Sequence, residues 1–227
     1  MVAEPVVSLF ARVPRRGEVK TRLIPAVGID GATALHTAML KDSLDRLRAR
    51  AAAGHPCDVW FDVSPPKAWI RAVETRELRW RTQVGADLGE RMAHAVREAL
   101  QVGRRAAVIW GADSPTLPAP LLQDLLDGVA TQRGAGAVPA ADGGFVAFAA
   151  AFDPSALFRG TAWGGAQVLR ATREAATLEA RPWFETPGWY DLDRAEDLER
   201  LMRESAGEGA AHEAPLTLAA CERWLRG

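Results

Sequence analysis

Ala106-Ala107-Val108-Ile109-Trp110-Gly111-Ala112-Asp113-Ser114-Pro115 is the stretch on which the fold turns. Its apolar run after Arg104 and Arg105 has no polar alternation, so it reads as a strand buried on both faces in the middle of a parallel sheet. The run stops at Gly111, and Pro115 and Pro118 keep the strand from continuing before a helix begins near Pro120. Asp113 is thereby held at the carboxyl edge of a central strand, where open α/β sheets place their ligands. Two roles are open to it: ligand to a divalent metal, or an Asx turn at the strand-to-loop corner.

Upstream, residues 5–11 form another short apolar run, which feeds a loop holding Pro14, Gly17 and the cations Arg12, Arg15, Arg16, Lys20 and Arg22. Backbone N–H groups and fixed positive charge at such a corner replace water around phosphate oxygens. The loop matches neither the Walker nor the dinucleotide fingerprint, and a solvated basic turn is the alternative reading. From Asp30, Leu35, Met39, Leu40, Leu44 and Leu47 mark one helical stripe, with Lys41, Asp45, Arg46 and Arg48 outside it. Gly54 and Pro56 close that helix. A second strand is expected over 58–63, a short helix over 68–74 and a third strand over 78–83.

Leu88, Met92, Val96 and Leu100 recur every four residues, so a helix there lies on the sheet. A right-handed connection puts its N-terminus at the edge where Asp113 sits. Asp87 reads as its N-cap, with Glu90 at capping-box spacing. After the central strand come a helix over 121–130 and a strand over 134–140. Asp142-Gly143-Gly144 then marks a tight hairpin, or a place where backbone closely approaches a ligand. A strand over 146–151 and a helix over 166–176 follow, the latter opened by Trp163, either an acceptor platform or a core aromatic. A last strand over 189–193 delivers Asp191 and Asp193 to a helix over 195–204, with Asp193 and Glu196 at capping-box spacing, and one of the two acids is expected to meet Asp113. Residues 205–215 read as a Gly- and Ala-rich linker, and 216–225 as a small helix without evident chemistry. The domain is placed at 1–205 and the tail at 206–227.

The 227 residues, 48% apolar and 25% charged, suit one large core rather than two domains. A net charge of -1 offers no basic field for nucleic acid. Cys57 and Cys221 are too few for a disulfide framework and fit no paired metal spacing, and no stretch approaches a membrane span. The expectation is a cytoplasmic protein that binds neither nucleic acid nor membrane. His36, His55, His94 and His212 lack zinc spacing, and no Gly-x-Ser-x-Gly elbow is present. Lysine occurs only at Lys20, Lys41 and Lys67. Trp60, Trp69 and Trp80 fit either core packing or a homodimer surface.

The order of the motifs says more than any one of them. Phe-Ala-Arg-x-Pro at 10–14, Gly-x-Val-Lys-Thr-Arg-Leu at 17–23, Asp-Leu-Gly-Glu-Arg-Met at 87–92, Gly-Ala-Asp-Ser-Pro at 111–115, Asp-Gly-Gly-Phe at 142–145, Trp-Gly at 163–164 and Asp-Leu-Asp-x-x-Glu-Asp-Leu at 191–198 succeed one another. Together they closely resemble a bacterial family of GT-A-fold proteins, long a domain of unknown function, described as glycosyltransferases of the radical-SAM and selenodomain-associated type. That family is similar to the guanylyltransferases of molybdenum-cofactor and deazaflavin-cofactor synthesis. The resemblance runs over about residues 5–204. Ser114 stands where the family often has Cys, Gly165 where Thr or Ser is usual, and Arg194-Ala195 in place of Thr-Pro.

Carried over residue by residue, the resemblance implies that Ala11, Arg12, Gly17, Lys20 and Arg22 face nucleotide phosphates, and that Asp87, Gly89 and Arg91 lie by the nucleoside. It makes Asp113 a ligand of both nucleotide and metal, with Asp193 and Asp191 as further acids at the metal. Asp142, Gly143, Gly144 and Trp163 would lie by the transferred or accepting group. Lys20 is the expected catalytic cation and Asp142 the candidate base. The expectation is one GT-A-like, Rossmann-related α/β domain with a mostly parallel sheet. Its function is to use Mg²⁺ or Mn²⁺ to transfer a glycosyl group from a nucleotide-diphosphate sugar to an unknown small-molecule acceptor. The alternatives are nucleotidyl transfer from an NTP, releasing pyrophosphate, and nucleotide binding as a non-catalytic accessory protein.

Overall fold

The computed structural model describes residues 4–64, 78–204 and 213–225. Among them, β1 (Val6–Ala11), β2 (Cys57–Phe61), β3 (Arg79–Thr82), β4 (Ala107–Gly111), β5 (Ala135–Pro139), β6 (Phe145–Ala150) and β7 (Trp183–Glu185) form one sheet. Their order is β3-β2-β1-β4-β6-β5-β7. The helices are α1 (Ile24–Ala52), α2 (Leu88–Gln101), α3 (Ala119–Gln132), α4 (Val168–Leu178), α5 (Ala195–Glu204) and α6 (Pro215–Leu225). The chain builds outward from β1 through β2 to β3, then returns to lay β4 on the other side of β1. Strand order therefore reverses between β1 and β4, and their carboxyl ends open a crevice of the kind that holds ligands in open α/β sheets.

β4 is central, as its apolar run requires, but its two neighbours differ. It pairs parallel with β1 and antiparallel with β6. β6 also runs against β5, because Asp142-Gly143-Gly144 does turn the chain back in a tight hairpin, with Ala140 N donating to Gly144 O at 3.0 Å. The sheet is thus parallel except for one strand. Period-two alternation sorts the core. Val7, Leu9, Val108 and Trp110 face α1 and α3, whereas Val6, Phe10, Ala107 and Ile109 face α2. A third cluster joins α1 to Tyr190, Leu192, α5 and α6.

α1 departs from helical geometry at Gly28, where φ 71 and ψ 173 are open to a residue without Cβ. Its regular part begins where the apolar stripe does. With the preceding turn it is long and apolar enough to cross a membrane by composition, yet Leu35, Met39, Leu40, Leu44 and Leu47 are all buried within the fold. α6 closes over it. Trp224 packs on Gly31, where an added Cβ would lie 2.9 Å from the indole. Asp42 accepts from Leu216 N at 3.1 Å and Thr217 N at 2.7 Å, pairing free amides in the first turn of α6.

Several expectations change. Residues 189–193 are no strand: Trp189 makes a single bridge to Ala140, and the edge strand is the shorter β7 before it. Leu88 is exposed, because the buried stripe of α2 runs through Met92, Ala93, Val96 and Ala99 instead. Arg46 is not outside: its side chain is only 16% exposed and reaches inward. Trp60 is buried in the core, and Trp80 is half-buried and stacked on Phe61, so core packing accounts for both. The short helix expected over 68–74, Lys67, Trp69, His212 and most of the 205–215 linker lie outside the described residues.

Candidate active site

The loop leaving β1 crosses the crevice and turns at Lys20, whose φ of 47 and ψ of 42 are left-handed. A residue other than glycine costs roughly 1 kcal/mol or more there, so its surroundings must hold it. They do so through the backbone, where Leu23 N donates to Lys20 O at 2.9 Å, and through the side chain. That side chain is 3% exposed, and its Nζ lies 2.8 Å from Asp113 Oδ1 and 3.6 Å from Asp193 Oδ1. Arg22 pairs with the other oxygen of Asp193 at 2.5 Å. Two acids from distant parts of the chain thus converge on one buried ammonium.

The backbone sets up that convergence. Ala112 N donates to Phe10 O and Leu192 N to Asp113 O, both at 2.9 Å, so the segment carrying Asp191 and Asp193 lies against the loop after β4. The capping box expected at Asp193 and Glu196 does not form. Asp197 accepts from Asp193 N at 3.0 Å and Arg194 N at 2.7 Å, which leaves the Asp193 carboxylate free for Lys20 and Arg22. Asp113 makes no Asx turn either, since its carboxylate is engaged by Lys20. Burial alone would push the Asp113 carboxyl up, but the Lys20 ammonium beside it prevails and holds it below the ordinary carboxylate range. At Asp191 burial wins, aided by the charge of Asp142, and its carboxyl is pushed up to about 6.

The sequence marks His36 only as a histidine without zinc spacing. It lies on the buried stripe of α1, where its Nε2 is 2.9 Å from Arg12 O, so the proton belongs on that nitrogen. Nδ1 then faces Asp113 Oδ1 at 3.8 Å and has no hydrogen-bond partner. Burial lowers the pKa of the ring and keeps it neutral. Asp62, also not singled out from the sequence, ties the cationic loop to β2, accepting from Val13 N at 2.8 Å and pairing with Arg15 at 3.3 Å.

Two cavities meet at Asp113. The larger, about 610 Å³, takes in Ala11, Arg12, Gln83, Arg91 and Asp191, within the size range of small-molecule sites. The smaller, about 250 Å³, is lined by Lys20, Arg22 and Asp193, and shares Arg12, His36 and Asp113 with the first. Other expected residues stand elsewhere. Asp87 and Gly89 line a separate cavity beside the first turn of α2. There Asp87 caps Glu90 N at 2.9 Å, and Gly89 leaves room for Trp163, which would meet an added Cβ at 2.6 Å. Trp163 is half-buried and packs on Phe145 and Phe158 as a core aromatic. Gly17 has φ +77 and lines neither of the two joined cavities. Asp142 accepts from Gly144 N at 2.9 Å, and Gly143 presses on the start of α4. The hairpin reaches the larger cavity only through Phe145 and Val146, next to it in sequence.

Among the described residues, no three His, Cys, Asp or Glu side chains form a ready metal cage. Asp113 and Asp193 are two oxygen donors whose charges are already met by Lys20 and Arg22. Such a pair fits a Mg²⁺-type ion only when phosphate oxygens complete the coordination, as they commonly do for that ion.

One seven-stranded sheet, parallel except for β6 and flanked by helices, is the fold class of the nucleotide-diphospho-sugar transferases. The chain belongs to the family described as "Uncharacterized protein conserved in bacteria (DUF2064)", whose model matches residues 29–165. Among solved structures it is similar to a Desulfovibrio desulfuricans G20 protein titled "putative nucleotide-diphospho-sugar transferase", with 26% identity, TM-score 0.81 and 98% of each chain covered. A cytidylyltransferase from Leptospira borgpetersenii shares 14% identity with TM-score 0.57, over 97% of this chain and 94% of that one. A 4-diphosphocytidyl-2C-methyl-D-erythritol synthase shares 15% with TM-score 0.52, over 88% and 97%. These last two resemblances concern the fold. No curated protein matches the chain.

Proposed function

We propose that the protein is a transferase that binds a nucleotide-diphosphate sugar in the two joined cavities and passes the glycosyl group to a small-molecule acceptor. One observation carries this reading: Lys20, Arg22 and Arg12 surround the smaller cavity, which meets the larger one at Asp113. A diphosphate fits the cationic end, and a nucleoside or sugar the roomier one. Lys20 and Arg22 lower the energy of charge building on the leaving phosphate because they are fixed before it forms. Asp113 and Asp193 would hold a Mg²⁺ or Mn²⁺ together with the phosphates. When bound, that ion neutralises phosphate charge. Asp191 lines the larger cavity, as Asp142 does not, and its carboxyl, pushed up to about 6, is ionised at neutral pH yet more basic than an ordinary carboxylate, which makes it a better candidate than Asp142 for taking a proton from the acceptor.

Nucleotidyl transfer is the second reading, favoured by the same small cationic cavity, which suits a leaving pyrophosphate equally well. A thermal-shift panel of nucleoside triphosphates and nucleotide sugars, each with and without Mn²⁺, separates the two. A ligand at a hundred times its Kd adds about 2.7 kcal/mol of stability. A metal-dependent shift with one nucleotide sugar but not the matching triphosphate supports glycosyl transfer. A preference for a triphosphate moves the assignment to nucleotidyl transfer, and no shift across the panel rejects both.

A further inference from the structure

Arg46 lies on α1, away from both cavities, yet its guanidinium is fully engaged. Nη1 and Nη2 donate to the carbonyls of Pro115 and Leu117. Nε lies 2.8 Å from Glu213 Oε2, and the group sits 5.0 Å from the centre of the Trp110 ring. The loop it grips begins at Asp113. Pro115 and Pro118 have no N–H, so few bonds hold that loop from within: Ser114 N donates to Gly111 O at 3.1 Å and Leu117 N to Ser114 O at 3.2 Å. Trp110 Nε1 adds a bond to Ser114 O at 3.0 Å, and on one side Ser114 Oγ donates to Tyr190 O at 2.7 Å, Leu192 N to Asp113 O at 2.9 Å and Trp189 Nε1 to Thr116 Oγ1 at 3.2 Å. Arg46 holds the other side, where two carbonyls two residues apart take the two arms of one planar fork.

We propose that Arg46 is a positioning residue for Asp113, and that the C-terminal segment belongs to the site because Glu213 orients the Arg46 fork against the carbonyls of Pro115 and Leu117. The functional consequence rests on the reading of Asp113 given above, whereas the restraint on the loop does not. A lysine cannot replace the fork, since one ammonium on a flexible stem does not span both carbonyls in a fixed geometry. Asp58, in β2, supplies a control. Its buried carboxylate accepts from Arg79 Nε at 2.7 Å and makes no bond to Arg46, Glu213 or the 113–117 loop.

The test uses the full chain with Arg46→Met, Arg46→Lys, Glu213→Gln and Asp58→Asn. Amide hydrogen exchange at Ser114 and Leu117 is read beside affinity for whichever nucleotide the thermal-shift panel selects. Both Arg46 variants are expected to speed exchange and weaken binding, each roughly tenfold, with Glu213→Gln smaller in the same direction. Asp58→Asn, even with a comparable loss of melting temperature, is expected to leave both readouts at the wild-type level. Wild-type behaviour of Arg46→Lys, or Asp58→Asn matching Arg46→Met, overturns the proposal. If the Arg46 variants fail to fold, Glu213→Gln against Asp58→Asn decides it. A wild-type protein that binds no nucleotide rejects the transferase reading, and the exchange rates still decide this one.

Discussion

The ammonium of Lys20 sits 2.8 Å from Asp113 Oδ1, on a residue held left-handed at φ 47 and with its side chain 3% exposed. Strain and burial are both accepted at one position, and backbone strain of this kind gathers where a site is pre-set. In Lys20→Met the Asp113 carboxylate loses the cation that outweighs its burial, so its pKa rises and the cationic end of the crevice loses a fixed charge. A charge-assisted hydrogen bond is worth about 1.5–3 kcal/mol, so affinity for the preferred nucleotide should fall about 10- to 150-fold. Calorimetric titration of wild type and variant checks this, and equal affinities would remove Lys20 from the site.

Gly143 carries a structural prediction. Its φ of +88 disfavours any side chain, and an added Cβ would stand 2.1 Å from the Ala166 carbonyl oxygen. Because Leu169 N donates to Gly143 O at 2.9 Å, hairpin and helix cannot separate without losing that bond. Gly143→Ala should therefore destabilise the fold by about 2 kcal/mol or more, read from urea midpoints. An unchanged midpoint would mean that the contact between the hairpin and α4 yields freely.

How much was legible in the sequence depends on whether the deciding force was local. β4, the hairpin at Asp142-Gly143-Gly144 and the N-cap at Asp87 follow from an apolar run, two glycines and a capping spacing, and all three formed. β7 did not announce itself, since three residues at an edge show no period, and the stretch after it mimics a strand without pairing as one. Residues 189–193 are held instead by the loop after β4, a contact between segments some 75 residues apart. The helical stripe puts Arg46 outside because it records where a Cβ points, not where a long side chain with an apolar stem ends. Nothing in Val19-Lys20-Thr21 foretells a left-handed lysine, nor that its ammonium would lie between Asp113 and Asp193. The identities of the acids were readable, and their shared partner was tertiary.

Both cysteines are buried, Cys57 in β2 and Cys221 in α6, and burial pushes each thiol up to about 12. In the unfolded chain they titrate at the ordinary thiol value of 9.0. Between those values the folded state binds more protons than the unfolded one, so the thiols' contribution to stability is complete below 9.0 and is lost as pH rises toward 12. Native protein should resist a thiol reagent at pH 8. Cys221 should label before Cys57, because undocking one terminal helix exposes it, whereas Cys57 needs the sheet to open. Labelling rates in Cys57→Ser and Cys221→Ser variants check the order, and the reverse order would show α6 to be docked more firmly than the sheet edge is closed.

The last prediction concerns metal. Asp113 and Asp193 are drawn onto Lys20, Arg22 shares Asp193, and no cage of three ligating side chains exists among the described residues. A free divalent ion must therefore compete with two resident cations while finding only two carboxylates. A nucleotide diphosphate changes that balance, because its oxygens supply the missing ligands and its negative charge offers Lys20 and Arg22 another partner. Mn²⁺ alone should give no thermal shift and no bound signal by electron paramagnetic resonance at submillimolar concentration, whereas Mn²⁺ with the preferred nucleotide should give both. Asp113→Asn should abolish the joint effect, and Asp193→Asn should weaken it, since Asp193 is shared with Arg22. Tight Mn²⁺ binding to the protein alone would show that Lys20 yields its place to metal without help from phosphate.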